Sequence, residues 1–275
     1  MRKINVKQIT DAVAKLSIDS NYYLCPDVLN QLKASLKSES SKLARKILSE
    51  IIENAKIAAN ENMPMCQDTG ITVVFLEIGQ GVEITGGDLY LAVNEGVRKG
   101  YLEGYLRKSV VSDPINRVNT KDNTPAVIHT DIVPGNKIKI IIAPKGAGSE
   151  NMSKLAMLKP SDGIEGVKNF IIETVKSAGA GPCPPIIVGV GIGGTMEMAA
   201  LLSKKALLRK IGGKSSKLEK ELLTQINKLG IGPMGLGGRT TALAVHIETY
   251  PCHIASLPVA VNIGCHANRH KEIII

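Results

Sequence analysis

The 275-residue sequence contains no tryptophan, two phenylalanines and six tyrosines. Proteins that bind single-stranded nucleic acids stack bases on aromatic rings, so this scarcity disfavours that class although the net charge is +9. Much of the positive charge comes from lysines interleaved with glutamates between residues 204 and 221, a pattern typical of solvated helix faces. No helix-turn-helix or zinc-finger motif is present. A basic nucleic-acid-binding module therefore remains only a remote alternative.

The sequence also lacks an apolar run long enough to cross a membrane. The best candidate, residues 184–202, is interrupted by glycines and by Glu197, whereas a membrane-spanning helix needs about 18–20 apolar residues. The basic start, residues 1–7, is not followed by the apolar segment of a signal peptide. We therefore expect a cytoplasmic protein without membrane association.

Cysteines are few and none are close together. There are five, an odd number, and no two form a Cys-x-x-Cys pair, which disfavours a zinc ribbon. In a cytoplasmic chain they are expected to be thiols, metal ligands or reactive groups rather than disulfides. A chain of this length can bury one large core or two lobes without disulfides.

The hydrophobic patterns predict a mixed class, α/β or α+β, with a helical N-terminal part (1–60) followed by an α/β part (61–275). Helices are predicted at 1–60, 88–104, 162–178, 195–211 and 215–229. Strands are predicted at 71–78, 126–133, 137–143, 185–188, 242–249 and 256–261, with residues 134–136 as a hairpin turn. Glycine loops are predicted at 146–148, 189–194 and 230–238, and the polar stretch 112–125 is expected to be irregular.

Three of the cysteines lie on predicted turns next to strands. Cys66 opens Cys-Gln-Asp-Thr-Gly, Cys183 lies in Gly-Pro-Cys-Pro-Pro, and Cys265 lies in Gly-Cys-His-Ala-Asn. Backbone N–H groups of tight loops stabilise thiolates. Three loop thiolates from distant parts of a chain suit an iron–sulfur cluster with one iron not held by protein, and such an iron is a Lewis acid. The alternative is that all three are small buried hydrophobic residues, which the spacing alone favours.

The glycines at 189, 191 and 194 match a dinucleotide-binding pattern. That pattern also needs an acidic residue about 20 positions later, at the end of a second strand. The corresponding region, residues 210–216, is instead a basic turn. We therefore reject nicotinamide binding and predict that these glycines allow close packing.

Together the motifs resemble the α subunit, or N-terminal domain, of class I fumarate hydratases and L(+)-tartrate dehydratases, the iron–sulfur hydro-lyases. The matching segments follow the family's order from residue 63 onward: 65–70, 107–109, 122–125, 146–151, 181–194, 232–238 and 252–265. The resemblance implies one [4Fe–4S] cluster per chain in a cleft, ligated by Cys66, Cys183 and Cys265. Cys25 and Cys252 are not expected to be ligands.

The resemblance also implies the other site residues. Asp68 and His253 would be catalytic, whereas Gln67, Arg107 and Gly148 would bind the substrate. Physical chemistry supports a carboxylate as a proton relay, an arginine as a carboxylate anchor and a glycine loop as an anion site.

Each of these residues also has an ordinary structural interpretation. Asp68 can serve as a turn residue that accepts backbone N–H groups, Arg107 as a surface arginine, and His253 as a core histidine. The family more often has glycine where this chain has Ala147.

The implied reaction is the reversible hydration of a C4 dicarboxylate, fumarate to (S)-malate as in the tricarboxylic acid cycle, with L(+)-tartrate dehydration as the alternative. The family draws further catalytic groups from a β subunit or C-terminal domain, so an α2β2 heterotetramer is expected. The apolar tail 273–275 is expected to dock on a partner or to fray. A rival enzyme would use Cys183 or Cys265 as nucleophile with His253 or His266 as base.

Overall fold

The computed structural model describes all residues, 1–275, and divides them into two compact units. Unit 1 comprises residues 1–25, 54–147 and 269–275, and unit 2 comprises residues 26–53 and 148–268. Each unit has its own hydrophobic core. Both helices and strands contribute to each unit, which confirms the predicted mixed class.

The chain forms eight α-helices: α1 (Val6–Tyr22), α2 (Pro26–Ser38), α3 (Lys42–Glu61), α4 (Leu89–Glu103), α5 (Ala147–Glu150), α6 (Gly163–Ala178), α7 (Met196–Ala206) and α8 (Lys217–Lys228). It forms ten strands: β1 (Arg2–Asn5), β2 (Ile71–Gly79), β3 (Val82–Thr85), β4 (Val127–Val133), β5 (Ile138–Lys145), β6 (Lys154–Leu158), β7 (Ile186–Gly193), β8 (Ala242–Tyr250), β9 (Leu257–Gly264) and β10 (Lys271–Ile274). None of the helices combines the length and apolarity needed to cross a membrane. The sequence pattern does not predict β1, β3, β6 or β10, which are only four or five residues long.

Unit 1 is built on a four-stranded sheet in the order β10-β5-β2-β4. Its helices α1 and α4 pack together, and α1 also packs against β5. The start of α1 is fixed by a capping box between Asn5 and Gln8, and Asp88 caps α4. The core combines one face of α1 with the apolar residues of β2 and β5.

The predicted hairpin is wrong, although both of its strands exist. β4 and β5 do not pair with each other, because β2 lies between them, parallel to β4 and antiparallel to β5. The turn instead crosses the end of β2, where the N–H groups of Gly79 and Gly81 donate to the carbonyls of Lys137 (2.9 Å) and Gly135 (2.7 Å). Nearly every residue of β2 is buried, which suits a central strand covered on both faces.

The tail is also ordered differently from the prediction. Residues 271–274 form β10, which pairs antiparallel with β5 at the edge of the sheet. Backbone hydrogen bonds of 2.9 Å join Ile275 and Ile138 in both directions. Ile273 and Ile275 pack against the core of unit 1. The tail is therefore an integral strand of its own unit.

Unit 2 is built on a second four-stranded sheet in the order β6-β9-β7-β8. β7 pairs parallel with β8 and antiparallel with β9. α7 packs against this sheet, while α6 and α8 contact each other and contribute to the core with β7, β8 and β9.

The predicted glycine loop at 189–194 is wrong, because most of it is strand β7. The predicted reason for the glycines is confirmed. A Cβ atom at Gly189 would lie 2.2 Å from the carbonyl oxygen of Ser203, and one at Gly191 would lie 2.1 Å from that of Ala199. Both oxygens belong to α7, so the missing side chains let the helix backbone lie directly on the strand.

Candidate active site

The segment Cys66-Gln67-Asp68-Thr69-Gly70 links α3 to β2 in unit 1. Its N-terminal side is anchored at Met65, whose N–H donates to the Asn21 carbonyl (3.0 Å) and whose carbonyl accepts from the Asn54 side chain (2.8 Å). The Cys66 thiol is half-buried and forms no disulfide. We refer to residues 66–70 as the Cys66 segment.

Three consecutive carbonyls of the Cys66 segment accept hydrogen bonds from buried side chains. Arg269 Nη2 donates to the carbonyl of Asp68 (2.5 Å). The Tyr101 hydroxyl lies 2.9 Å from the Thr69 carbonyl and 3.0 Å from the Gly70 carbonyl, and Asn123 Nδ2 lies 3.2 Å from the latter. Burial raises the pKa of Tyr101 to about 12, so the hydroxyl keeps its proton and remains a donor. The backbone of this segment is therefore fixed by parts of the chain that are far apart in sequence.

The Asp68 carboxylate accepts two backbone N–H groups. Its Oδ1 accepts from Gly70 (3.0 Å), which closes a turn, and its Oδ2 accepts from Ala147 (2.9 Å). In this structure Asp68 therefore acts as a turn residue whose carboxylate accepts backbone N–H groups, as its structural interpretation predicts. The residue is half-buried and directly follows the predicted substrate-binding residue Gln67 in the chain.

Two of the predicted substrate-binding side chains contact each other. Arg107 Nη1 donates to Gln67 Oε1 (2.6 Å), and both side chains are exposed. The backbone carbonyl of Arg107 also accepts from the Thr69 hydroxyl (3.0 Å). The structure therefore places Arg107 beside the Cys66 segment by two separate contacts.

The predicted glycine loop at 146–148 is only partly a loop, because Ala147 and Gly148 already belong to α5. The Ala147 N–H, which the sequence suggested for an external anion, donates to the Asp68 carboxylate. A Cβ at Gly146 would lie 3.0 Å from Asp68 Oδ2, so glycine makes room for that carboxylate. Gly148 is different, because a Cβ there would make only an ordinary contact of 3.5 Å with the Gly181 carbonyl. Packing alone does not require glycine at position 148.

In unit 2, the loops that carry Cys183 and Cys265 contact each other. His266, which follows Cys265, places Nδ1 at 3.0 Å from the carbonyl oxygen of Cys183. Cys183 has a φ of +54°, an uncommon conformation for a residue other than glycine. Both thiols are half-buried rather than enclosed in a core.

His253 lies in the exposed loop between β8 and β9 of unit 2 and is not a core histidine. Its Nδ1 accepts the N–H of Ala255 (3.1 Å), which leaves Nε2 as the nitrogen for other contacts. The loop borders two surface pockets of about 430 and 460 Å³.

The two cysteines predicted to be bystanders lie elsewhere. Cys25 is buried, with its sulfur 3.2 Å from the carbonyl oxygen of His270, and Cys252 is exposed. No group of three or more His, Cys, Asp or Glu residues in the structure is arranged to hold a metal ion. The cysteine ligand set therefore stays a prediction.

Sequence reasoning missed Arg269 and Tyr101. Tyr101 is fully buried and Arg269 is only 4% exposed, yet both contact the Cys66 segment. Arg269 stands four residues after Cys265 in a short polar run, where nothing distinguishes it from a surface arginine. Tyr101 lies on the buried face of α4, where the helical pattern predicts a core residue and not a hydrogen-bond donor to the loop.

Comparison with known proteins gives consistent matches across the chain. Residues 10–274 match the family model described as fumarate hydratase (Fumerase). A Methanocaldococcus jannaschii protein, provisionally named L(+)-tartrate dehydratase subunit alpha, is 50% identical over 273 residues, covering 95% of each chain. The L(+)-tartrate dehydratase subunits alpha of Escherichia coli O157:H7 and of strain K12 are each 34% identical, covering 98% of this chain and 91% of theirs.

Proposed function

The chain belongs to the fumarate hydratase (Fumerase) family, and from this premise we propose that it is the α subunit of an iron–sulfur hydro-lyase. The substrate we propose is a C4 dicarboxylate, with the reversible hydration of fumarate to (S)-malate as the main candidate. The family match is supported by the Cys66 segment, where a half-buried thiol, a carboxylate and an arginine-glutamine pair lie within a few residues or in direct contact. That arrangement is the observation that carries the proposal.

The residues present fit an iron–sulfur cluster. Soft thiolates are the ligands such clusters require, and Cys66, Cys183 and Cys265 are half-buried thiols outside any disulfide. The loops of Cys183 and Cys265 are in contact, which suits two ligands of one group. We propose these three residues as the ligands of a [4Fe–4S] cluster. When bound, its open iron would supply a Lewis acid for a hydroxyl or carboxylate oxygen.

The side chains around the Cys66 segment would bind and orient the substrate. Arg107 can take a carboxylate in a two-pronged contact, with Gln67 held against it as a hydrogen-bonding neighbour. Gly148 has no side chain, so a ligand can approach its backbone closely. Packing within the protein does not explain this glycine, because a Cβ at position 148 would make only an ordinary contact. In this proposal Arg107 and Gln67 would fix one carboxylate of the substrate, and Gly148 is a further substrate-binding residue.

Asp68 and His253 are the proposed proton-transfer residues. The Asp68 carboxylate is held in place by hydrogen bonds from the N–H groups of Gly70 and Ala147. A carboxylate fixed in this way can accept the proton removed from the carbon next to the leaving hydroxyl. The exposed His253, with Nδ1 engaged by Ala255, can exchange a proton at Nε2.

L(+)-tartrate is the second candidate substrate. The observation that favours it is that the relatives described above are named as tartrate dehydratase subunits. Those names also designate an alpha subunit, which supports the need for a partner β subunit. An α2β2 assembly and a cytoplasmic location complete the proposal.

The test is to co-express the chain with its β partner, purify the complex without oxygen and reconstitute it with iron and sulfide. We expect bound iron and sulfide, absorbance near ~400 nm from thiolate-to-iron bonding, and turnover of fumarate or L(+)-tartrate. Cys66→Ser should lower the iron content and abolish turnover. Cys252→Ser is the matched control, since that exposed cysteine is not a proposed ligand, and it should behave like the natural sequence.

The proposal fails if the complex binds no iron or sulfide and Cys66→Ser changes nothing. Alkylation-sensitive activity without iron would favour the cysteine-dependent rival. Retention on nucleic acid that declines steeply with added salt would favour the basic binding module. Comparing the two substrates in the same assay decides between fumarate and L(+)-tartrate.

A further inference from the structure

Arg269 carries a charge that the structure leaves largely uncompensated. The residue is only 4% exposed, and its Nη2 donates to the Asp68 carbonyl. Its Nε and Nη1 are buried and have no hydrogen-bond partner. Among the charged groups of the protein, no other arginine or lysine has buried nitrogens of this kind without partners.

Such an arrangement is costly for a purely structural residue. A buried cation requires compensation by an opposite charge or by a full set of hydrogen bonds, and removing one from water is strongly unfavourable. A single hydrogen bond to a carbonyl could be supplied by a neutral glutamine at much lower cost. The retained charge is therefore the feature that needs an explanation.

The position of the charge supplies one. Arg269 contacts the peptide of Asp68 itself, two residues after Cys66. A Cβ built on Gly146 would lie 3.0 Å from Asp68 Oδ2 and 3.9 Å from Arg269 Nη2, so the guanidinium and this carboxylate flank the same glycine. The guanidinium thus lies next to a segment that carries one carboxylate and one thiol.

We propose that Arg269 is a positioning residue of the Cys66 segment, fixing the Asp68 peptide and holding the negative charge that gathers there. This inference rests on the proposed function, in which the thiolate of Cys66 and the carboxylates of the substrate add to that of Asp68. Arg269 acts through Asp68 and does not itself touch the substrate. Its charge, and not only its hydrogen bond, is what the segment requires.

Two substitutions separate charge from hydrogen bonding. Arg269→Gln keeps a donor for the Asp68 carbonyl but removes the charge, whereas Arg269→Lys keeps both a donor and the charge. The matched control is Arg209→Gln in unit 2, because Arg209 is a partly buried arginine that does not contact the Cys66 segment and, unlike Arg269, forms an ion pair, with Glu219 at 2.7 Å. All three variants are made in the full chain co-expressed with its β partner.

The first measurement is steady-state kinetics of the reconstituted complex. Arg269→Gln should lower kcat by about 10–100-fold with KM changed by less than about threefold, as expected when a supporting interaction of a reactive group is lost. Arg269→Lys should retain most of kcat, and Arg209→Gln should leave both constants unchanged. A merely structural role would give equal losses in the two Arg269 variants, in parallel with their thermal unfolding temperatures.

The second measurement needs neither the metal nor turnover. Amide hydrogen exchange of the metal-free chain reports whether the N–H groups of Gly70 and Ala147 still bond to Asp68. We expect exchange at these two amides to accelerate by about tenfold in Arg269→Gln and much less in Arg269→Lys. Unchanged exchange and unchanged kcat in Arg269→Gln would overturn the inference.

The two failures can be told apart. If the natural complex bound no cluster and turned over neither substrate, the proposed function would fail, and the exchange measurement would still test whether Arg269 orders the segment. If the natural complex were active and Arg269→Gln matched it in kcat and exchange, only the inference about Arg269 would fail.

Discussion

At the scale of single residues, the sequence predicts the reactive residues of the candidate site better than the buried residues that hold the Cys66 segment in place. Gln67, Asp68 and Arg107 are named by their motifs, and the structure places them in one unit with direct contacts between Gln67 and Arg107. Arg269 and Tyr101 could not be predicted, because their roles depend on which distant carbonyls they meet after folding. A residue type in a motif signals chemistry, whereas a donor to a backbone carbonyl leaves no pattern in the sequence.

The glycines of β7 show the same limit. Their packing role was predictable, but the extended conformation was not, because glycine weakens a strand intrinsically and usually marks a loop. In the folded protein β7 lies between β8 and β9 and packs against α7, and these contacts outweigh the low strand preference of its glycines. The price of such close packing is that position 191 tolerates no side chain.

We expect Gly191→Ala to lower the free energy of unfolding by about 3 kcal/mol, because the new methyl group would lie 2.1 Å from the Ala199 carbonyl oxygen. Urea denaturation followed by circular dichroism measures the change. The matched control is Gly213→Ala, where the nearest atom would be 3.4 Å away, and it should change stability by less than about 0.5 kcal/mol. Equal effects of the two substitutions would contradict the packing argument.

At the scale of elements, the positions of strands were easier to predict than their partners. The patterns locate β4 and β5, since β-branched runs and a Pro-Gly turn are local signals. Pairing is decided by which strand best fills the centre of the sheet, and β2, the most apolar of the three, takes that place. The four short strands escape prediction because so few residues carry no periodicity of their own.

Removing β10 tests whether the tail is an integral strand. Truncation after His270 should lower the free energy of unfolding by about 2–4 kcal/mol, since it exposes the edge of β5 and the apolar surface under Ile273 and Ile275. Thermal unfolding of the truncated chain is the measurement. Replacing Glu272, whose side chain is largely exposed, with Gln is the control and should have little effect. A truncated chain as stable as the full one would mean that β10 contributes nothing to the core.

At the scale of the whole molecule, the net charge of +9 carried little information about function, because many lysines are paired on helix surfaces. The informative charges are the few buried ones. Burial lowers the pKa of His246, and the nearby Arg209 lowers it further, while Glu219 and Asp27 oppose the shift. Both ring nitrogens of His246 are buried without hydrogen-bond partners, so the folded protein holds this imidazole neutral.

Buried carboxylates respond to acid in the same direction. Burial would raise the pKa of Glu39, but the N–H groups of Ser41, Arg239 and Ser40 outweigh it and lower the pKa below its usual 4.5. In Glu219 burial is likewise outweighed, and its pKa is also lowered. These contacts stabilise the fold only while the carboxylates remain charged.

The stability of the protein should therefore fall in two steps as the pH decreases. Because the folded pKa of His246 lies below the unfolded value of 6.5, its contribution is present above pH 6.5 and declines below it. The contributions of Glu39 and Glu219 are present above pH 4.5 and are lost at lower pH. Urea midpoints measured from pH 8 to pH 3.5 follow both steps. His246→Gln should remove the first step alone, and an unchanged first step in this variant would contradict the assignment.

The division of unit 1 into three stretches has a consequence for its synthesis. Residues 1–25 and 54–147 of unit 1 are synthesised first, and residues 148–268 of unit 2 follow them. The last stretch of unit 1, residues 269–275 with β10, is synthesised only after these. Until β10 arrives, the edge of β5 and the side of α1 that packs on β10 lack their cover. A nascent chain therefore carries an open strand edge throughout the translation of unit 2, and such edges attract chaperones and promote aggregation. A chain released by a ribosome that stalls before residue 269 would lack β10 and could not complete the sheet of unit 1.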